Sequence, residues 1–520
     1  MKISRLYVDN FKAALDVELE LSHMTALVGA NGSGKTTFLE ALDYFFRPAD
    51  IPHEAYNDPS KEIRIAVTFT RLPQSNKPVT VTRTCRWDGE ETTVETEDTS
   101  YKLSAYENIL GSVIVLFERA EHETDDDGTK KSDLALADMI KERVRKKIEA
   151  ADLDALFASS REYYQTLRDS LDEYKSAMNK KLAGGEVDPT GYAPGSSIDF
   201  VIEPNPEPDI RTVFVEPDRQ LEHKLAGHGT KRAYHMAALE AHAKFSSEGD
   251  GQLVLMLVDE PELHQHPQRQ RHILQTYKQL AGKPSFQIVY STHSPELVDL
   301  DRPEGIYRVT RVPGSGIKAS PGSGQAPKLS SRTIHKNLVE GIFSAGVILV
   351  EGWRDEAVLS AALSVVKMGE KSVMKKLIEG GINIIYATSV TRVPDFARFF
   401  RTMGVPVFAV WDADGNASGD DQNKDILAAL GSEAEFEADK SYGGRHIGTG
   451  FLCFARDTDL YFKDWLGFPG DAETKEQKKA IKDVIGDHEY LARAFDTEEF
   501  RGAEFATEIV PHICSHFSLP

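Results

Sequence analysis

Residues 25–46 read TALVGANGSGKTTFLEALDYFF. A short apolar stretch runs into Gly29-Ala30-Asn31-Gly32-Ser33-Gly34-Lys35-Thr36, and an apolar-periodic stretch follows. The spacing fits G-x-x-x-x-G-K-[ST] between a strand and a helix, which is the context a phosphate-cradling loop needs. Glycines at these positions let backbone N–H groups curl around phosphate oxygens, and the helix start adds a favourable field. Asn31, Gly32, Gly34, Lys35, Thr36 and Thr37 are therefore the candidate nucleotide-phosphate residues. Lys35 is placed to reach the β- and γ-phosphates, and Thr36 to hold Mg²⁺.

A companion lies far down the chain. LVLMLVDEPELH, residues 253–264, is an apolar strand ending in Asp259 and Glu260. Asp259 would hold Mg²⁺ through water, and Glu260 would orient an attacking water. After the next apolar run, STHSPEL places His293 where a γ-phosphate sensor stands. The competing reading is a plain strand-to-loop cap for the acidic pair and a structural histidine.

A second α/β alternation starts near 345. VILVE (347–351) ends in Glu351 and leads into a helix at 353–367, INIIYA (382–387) leads into a helix at 393–403, and VPVFAVWDAD (405–414) ends in Asp412 and Asp414. Asp355 follows Glu351 by four residues, so both carboxylates converge if a helix begins there. In a strand, i and i+2 point to one side, which pairs Asp412 with Asp414. Parallel strands bring their carboxyl ends to one edge, so the four acids gather there. Such a cluster repels itself unless divalent cations sit in it, and cations so held suit phosphodiester chemistry.

The 520 residues allow about three domains at roughly 150 residues each, and the 40% hydrophobic, 28% charged composition is that of an ordinary globular chain. Cys85, Cys453 and Cys514 lie far apart, which excludes a disulfide framework or a four-cysteine zinc site and fits a reducing cytoplasm. No signal-peptide core and no run of 18 apolar residues is found, so the expectation is a cytoplasmic chain without a membrane span. The net charge of −21 argues against coating nucleic acid by bulk positive charge.

Strands are expected at 17–21, 25–29, 63–69, 79–84 and 211–215, with polar loops at 90–100 and 122–133. Residues 133–182 are helical in composition, and Tyr164, Leu167, Leu171, Tyr174 and Met178 form a short heptad seam. It serves either as a self-association arm or as a stripe packed on the chain's own core. Residues 183–210 are a Gly/Pro-rich break, and 313–330 form a hairpin tip or linker. The last hundred residues read as mainly helical, with one strand near 447–452.

The order GANGSGKTT, GHGTKRA, LVDEPELHQHP, STHSPEL resembles the ABC-type ATPase heads of the OLD (overcoming lysogenisation defect) family, themselves similar to structural-maintenance and recombination-repair ATPases. The resemblance implies ATP sandwiched between two heads, hence a homo-oligomer, with Gly227–Arg232 as the signature loop and Gly229 on the nucleotide. Gly227 stands where the signature serine is expected, which weakens the case for trans-activated hydrolysis more than the case for binding. The Glu-Gly and Asp-x-Asp strand ends resemble a Toprim domain. An ABC head followed by Toprim is the OLD-type arrangement, also found in the nuclease subunit of Gabija-like antiphage systems. It implies an α/β chain: head at 1–132 and 186–340, helical insertion and candidate dimerisation arm at 133–185, Toprim at 345–520. It further implies metal ligation by Glu351, Asp355, Asp412 and Asp414, with Asp459 (or Asp457) and Lys463 as looser candidates and Arg501 a weak substitute for the family's late lysine.

For DNA contact, Lys141, Arg143, Arg145, Lys146 and Lys147 form the densest basic run, and Arg392, Arg398 and Arg401 flank the strand before Asp412. The leading expectation is an ATP-regulated endonuclease acting on DNA with Mg²⁺ or Mn²⁺, in antiphage defence, alone or with a separate defence-system protein. Of another class is a nucleotide-sensing DNA clamp or scaffold that does not cut. A topoisomerase lacks room for a strand-gate domain, and a bacterial-type primase lacks its zinc module.

Overall fold

The computed structural model describes residues 1–47, 51–72, 77–86, 89–96, 112–118, 160–183, 197–203, 209–215, 220–222, 253–263, 265–322, 332–412, 417–432, 445–448, 450–454, 461–463, 465–466, 468 and 475–519. The chain divides into two compact units. Met1–Val298 with Val309–Ala319 form the first, and Asp299–Arg308 with Ser320–Pro520 the second.

The first unit is built on strands β1 (Lys2–Asp9), β2 (Val17–Glu20), β3 (Met24–Val28), β4 (Ile63–Thr70), β5 (Val79–Arg86), β6 (Gly89–Thr96), β7 (Val113–Glu118), β8 (Ser197–Glu203), β9 (Asp209–Val215), β10 (Gln220–Glu222), β11 (Leu253–Val258) and β12 (Phe286–Thr292), with the Val309–Val312 part of β13 (Ile306–Val312) and the Gly316–Ala319 part of β14 (Gly316–Pro321). One sheet, ordered β2-β1-β4-β5-β6, is antiparallel. Its strands alternate buried and exposed, as IRIAVTFT in β4 does, because one face meets the core and the other does not. The larger sheet runs β14-β13-β3-β12-β11-β7. Within it β3, β12, β11 and β7 are parallel neighbours. All residues of β11 and β12 are buried, which is why LVLMLV and FQIVYST carry no period-two alternation.

Buried polar groups in these strands are paired. Gln287 on β12 is fully buried. Its amide accepts from Ile3 N–H at 2.9 Å and donates to Ile3 O at 2.6 Å and Ser22 O at 2.9 Å. That satisfies an otherwise costly group and ties β1 to the start of β12.

Two expectations change here. Residues 89–96, expected as loop from their acids, form β6, paired along its length with β5. Glu90, Glu91 and Glu95 are tolerated because β6 is an edge strand, where charge also discourages unwanted pairing. The heptad stripe is covered at its described positions: Leu171, Tyr174 and Met178 of helix Ser160–Ala183 are buried. That helix packs on β8, where Asn179 brackets Ile198 with bonds of 2.7 and 3.0 Å. Residues 133–159, including the basic run 141–147, lie outside the described residues.

The second unit holds β15 (Gly346–Val350), the two-residue strands β16 (Lys367–Met368) and β17 (Lys371–Ser372), β18 (Ile382–Tyr386), β19 (Val407–Asp412), β20 (Arg445–Gly448) and β21 (Phe451–Phe454). Its sheet runs β18-β15-β19-β21-β20. The first four strands are parallel, and β20 closes the edge antiparallel to β21. Where one strand was expected near 447–452 there are two short ones, with Gly450 between them at φ +90°. Helices Trp353–Val365 and Val393–Thr402 are the crossovers between parallel strands.

Arg308 is buried in this unit and has three carbonyls as partners: Ile342 O at 3.0 Å, Ser344 O at 2.7 Å and Gly404 O at 3.0 Å. Ile342 is in the last turn of helix Arg332–Phe343 and Ser344 follows it directly, where a cation complements the helix dipole.

Gly341 in that helix has a defined packing role. A Cβ there would meet the Phe400 ring at 2.3 Å and Ile385 at 3.2 Å. In an open helix, glycine to alanine stabilises by about 1 kcal/mol. Here Gly341→Ala is expected to destabilise by about 1–3 kcal/mol through overpacking, read by urea denaturation. A gain in stability would contradict this packing.

Candidate nucleotide-binding and acidic-edge sites

The phosphate loop joins β3 to helix Lys35–Phe46. Gly29, Gly32 and Gly34 have φ of +150°, +70° and +99°. A Cβ at Gly29 would lie 2.3 Å from Val309 O, and one at Gly34 would lie 2.2 Å from Ile317 Cδ1. The loop's curl thus requires glycine both for dihedral reasons and for space. Asn31 and Gly32 are exposed at its tip. Thr37 is buried in the first helical turn, its N–H on Gly34 O at 3.2 Å. Ser33 Oγ is buried without a partner.

Lys35 Nζ donates to Gly29 O at 3.2 Å and Ala30 O at 3.1 Å, and meets His293 Nε2 at 2.7 Å. Burial lowers its pKa although the Glu260, Asp259 and Glu262 charges push the other way. His293 is also held below its ordinary value, first by burial and then by the Lys35 charge. The ring is therefore neutral near pH 7, and Nε2 accepts from the lysine. Glu260 Oε1, 3.3 Å from the same nitrogen, is a neighbour rather than an ion-pair partner.

Thr36 Oγ1 donates to both Asp259 oxygens at 3.1 Å. The loop's hydroxyl and the β11 carboxylate are thus together, as expected. Two side chains missed in the sequence complete the network. Ser291, at the end of β12, donates to Asp259 and accepts the Glu260 N–H at 3.0 Å. Glu262 accepts from Thr292 Oγ1 at 2.9 Å and from His293 N–H at 2.5 Å, which fixes the histidine's backbone. The only available signal for Glu262 was its place three residues after Asp259. Glu260 has φ +48°, a strained value for a non-glycine, of the kind that gathers at functional sites. The orphaned Ser33 hydroxyl, the curled N–H groups and the buried cation fit a nucleotide's phosphates, and Thr36 with Asp259 are hard oxygen donors suited to its Mg²⁺. Gly229 and the rest of Gly227–Arg232 lie outside the described residues.

In the second unit, β15 lies between β18 and β19, with Val350 opposite Tyr386 and Val410. That register sets Glu351 beside the end of β19, and Glu351 Oε1 accepts the Asp412 N–H at 2.7 Å. Glu351 and Asp412 are thereby brought to one edge. Asp355, one turn on, uses Oδ2 to accept Gly352 N–H at 2.9 Å, capping helix Trp353–Val365. Asp414, Asp457 and Asp459 lie outside the described residues. Among the described residues no group of three or more His, Cys, Asp or Glu side chains is gathered closely enough to hold a metal ion. The field at this edge is negative. Burial pushes the Cys453 thiol up, and the Asp412 and Glu351 charges push it further. Two hard carboxylates in a negative field fit a divalent cation.

The arginines divide. Arg398 pairs with Asp425, and Arg401 donates to Ala429 O at 2.7 Å, both toward helix Ala417–Leu430. Arg401 lines a pocket of about 440 Å³ with Pro406 and Val407, at the start of β19, whereas Asp412 is at its end. Helix Val393–Thr402 runs back along the sheet, so its last turn lies at the edge opposite the carboxylates. This corrects the expectation that Arg401 would serve phosphates there, and Arg398 is already engaged by Asp425. Arg501 pairs with Asp496.

Residues 24–299, just over half of the chain, match the family model described as "AAA domain, putative AbiEii toxin, Type IV TA system". Residues 342–414 match "Overcoming lysogenization defect protein-like, TOPRIM domain". The chain is similar to the OLD nuclease of Thermus scotoductus, 26% identical over 343 residues, 59% of this chain and 62% of that protein. It is also similar to the Old nuclease of Escherichia phage P2, 22% identical over 410 residues, 69% of each. The chain thus spans about three fifths of the length of the Thermus relative. Among solved structures, an SMC head bound to the C-winged helix domain of ScpA is 17% identical, covers 62% of this chain and 98% of that one, and has a TM-score of 0.42. With the phosphate loop, Asp259 and His293 joined in the first unit and Glu351 joined to Asp412 in the second, the chain belongs to the AAA-domain family so described and carries an OLD-like Toprim domain.

Proposed function

We propose that the chain is an ATP-regulated, divalent-metal-dependent DNA endonuclease that nicks or cleaves DNA as part of antiphage defence. The bond from Asp412 N–H to Glu351 Oε1 carries this reading. It brings Glu351 and Asp412 to one acidic edge, and the similarity to two OLD nucleases supports the reading. The head comprises about 1–340 with its helical insertion, and the nuclease domain about 345–520.

In the head, Lys35 and the loop N–H groups bind the triphosphate, Thr36 and Asp259 hold its Mg²⁺, Glu260 orients water, and neutral His293 reads the γ-phosphate. Glu262 is a positioning residue for His293. In the second unit, Glu351 and Asp412, with Asp355, Asp414 and Asp459, are the proposed ligands of Mg²⁺ or Mn²⁺. A cation bound there would supply charge neutralisation at the scissile phosphate and a more acidic water. The chain's part is to fix Glu351 through the Asp412 backbone and to keep Asp355 at the helix start. ATP engages two heads of a homo-oligomer, and the resulting change of state alters access to the acidic edge.

Incubation with supercoiled and linear DNA under Mg²⁺ or Mn²⁺ tests the reading. Cutting is expected to cease in EDTA and to fall by more than about 100-fold in Asp412→Ala, since even outer partners of metal ligands cost 10–100-fold. A chain that binds DNA but cuts under none of these conditions is the nucleotide-sensing clamp instead. Lys35→Ala is expected to abolish ATP binding and, with it, any response of cutting to ATP. An ATP response that survives in Lys35→Ala would refute the regulatory part. Glu262→Ala is expected to lower ATP turnover by about 10- to 100-fold while ATP affinity holds, measured by phosphate release and by titration with a fluorescent ATP analogue.

A further inference from the structure

The acidic edge carries an exposed aromatic that the mechanism does not use. Trp353 is the first residue of helix Trp353–Val365 and stands two residues after Glu351. Its surface is 47% exposed, one of few large apolar side chains so placed among the described residues. An indole left half exposed presents a large apolar face that a flat ligand can cover. The Arg354 guanidinium carbon lies 5.0 Å from the Trp353 ring centroid, a cation–π distance. Arg354 Nε is buried with no hydrogen-bond partner among the described residues. The arginine is therefore held against the ring with an unused donor.

The neighbouring strand exit adds a second observation. Ala387 N–H donates to Val350 O at 2.9 Å, which fixes the exit of β18 beside that of β15. The next residue, Thr388, has φ +77°. For a β-branched side chain this is a true outlier, and such strain persists at ligand clamps and active sites. Thr388 and Thr391 are exposed, and Ser389 Oγ lies 2.8 Å from Thr391 Oγ1. In sheet order the strained hydroxyl-bearing turn, the Trp–Arg pair and Asp412 follow one another along β18, β15 and β19.

We propose that Trp353 and Arg354 form a stacking platform for one unpaired nucleotide next to the scissile phosphate, so that this edge takes single-stranded or splayed DNA in preference to blunt duplex. The proposal rests on the DNA-cutting reading above and adds the form of DNA it accepts. A base inside a duplex offers only its edges, whereas an unpaired base offers a whole face to an aromatic ring with little regard to sequence. Arginine suits the second role, because its planar guanidinium stacks on a ring and still donates to phosphate.

The test uses the full chain in Ca²⁺, with labelled single-stranded, forked and blunt duplex DNA of equal length, read by fluorescence anisotropy. Wild-type protein is expected to favour the first two. Trp353→Ala is expected to weaken them by about 5- to 150-fold, the range for stacking one base, with far less effect on blunt duplex. Trp353→Phe, which keeps a ring, should recover most of the loss, and an unchanged melting temperature shows that Trp353→Ala folds. An equal loss on all three DNAs, no loss, or Phe no better than Ala overturns the proposal. The outcomes separate from those of the nuclease reading. Trp353-dependent binding of forked DNA without cutting in Mg²⁺ upholds this inference and sinks the other, and cutting that ignores Trp353 does the reverse.

Discussion

Parallel pairing of buried strands is the constraint on which both units depend. Neighbours that run the same way must deliver all their carboxyl ends to one edge, whatever the intervening sequence. In the first unit that edge receives the phosphate loop after β3, Asp259 after β11 and His293 after β12. In the second it receives Glu351 after β15, the Thr388 turn after β18 and Asp412 at the end of β19. Residues far apart in sequence become neighbours because parallel strands covered on both faces share the edge at which they end.

Within the head the edge works as one hydrogen-bonded circuit. Thr36 reaches Asp259, Ser291 holds both Asp259 and the Glu260 backbone, Glu262 holds the His293 backbone, and His293 returns to Lys35. Burial makes each link stronger and each missing link costlier. The lowered pKa values of Lys35 and His293 have the same origin: two basic groups share a buried space, and the acids around them offset only part of the desolvation. On the proposed reading, a γ-phosphate and its cation would enter a site already poised between opposing charges.

Much of this was legible because it rests on local pattern. The glycines around Lys35, the apolar runs ending in Asp259, Glu351 and Asp412, and the strand–helix alternation each follow from short-range chemistry. What escaped depends on tertiary placement. Glu90, Glu91 and Glu95 suggested a loop, yet an edge strand accepts them. Glu262 and Ser291 have no spacing signal beyond their neighbours, and their roles come from where β11 and β12 end. Arg401 lies close to Asp412 in sequence but at the far edge, because a crossover helix must travel back along the sheet. Trp353 resembled any helix-starting apolar residue, and only its exposure distinguishes it.

Charge sets the last requirement. A chain of net charge −21 repels a polyanion at long range, and the Glu351 and Asp412 carboxylates at the acidic edge add to that. On the proposed reading, cations alone could draw DNA there, but a cation between carboxylates attracts any phosphate equally and confers no preference of form. The discriminating contacts must then come from uncharged surface or from arginine that does not already answer to an acid. Arg398 and Arg501 pair with Asp425 and Asp496, and Arg308 is spent on carbonyls. Arg354, whose guanidinium faces an indole, is on the proposed reading the arginine that meets a ligand. An acidic nuclease built this way would gain affinity from its metal and selectivity from a ring, and its binding would be less steeply salt-dependent than that of a protein coated in lysine.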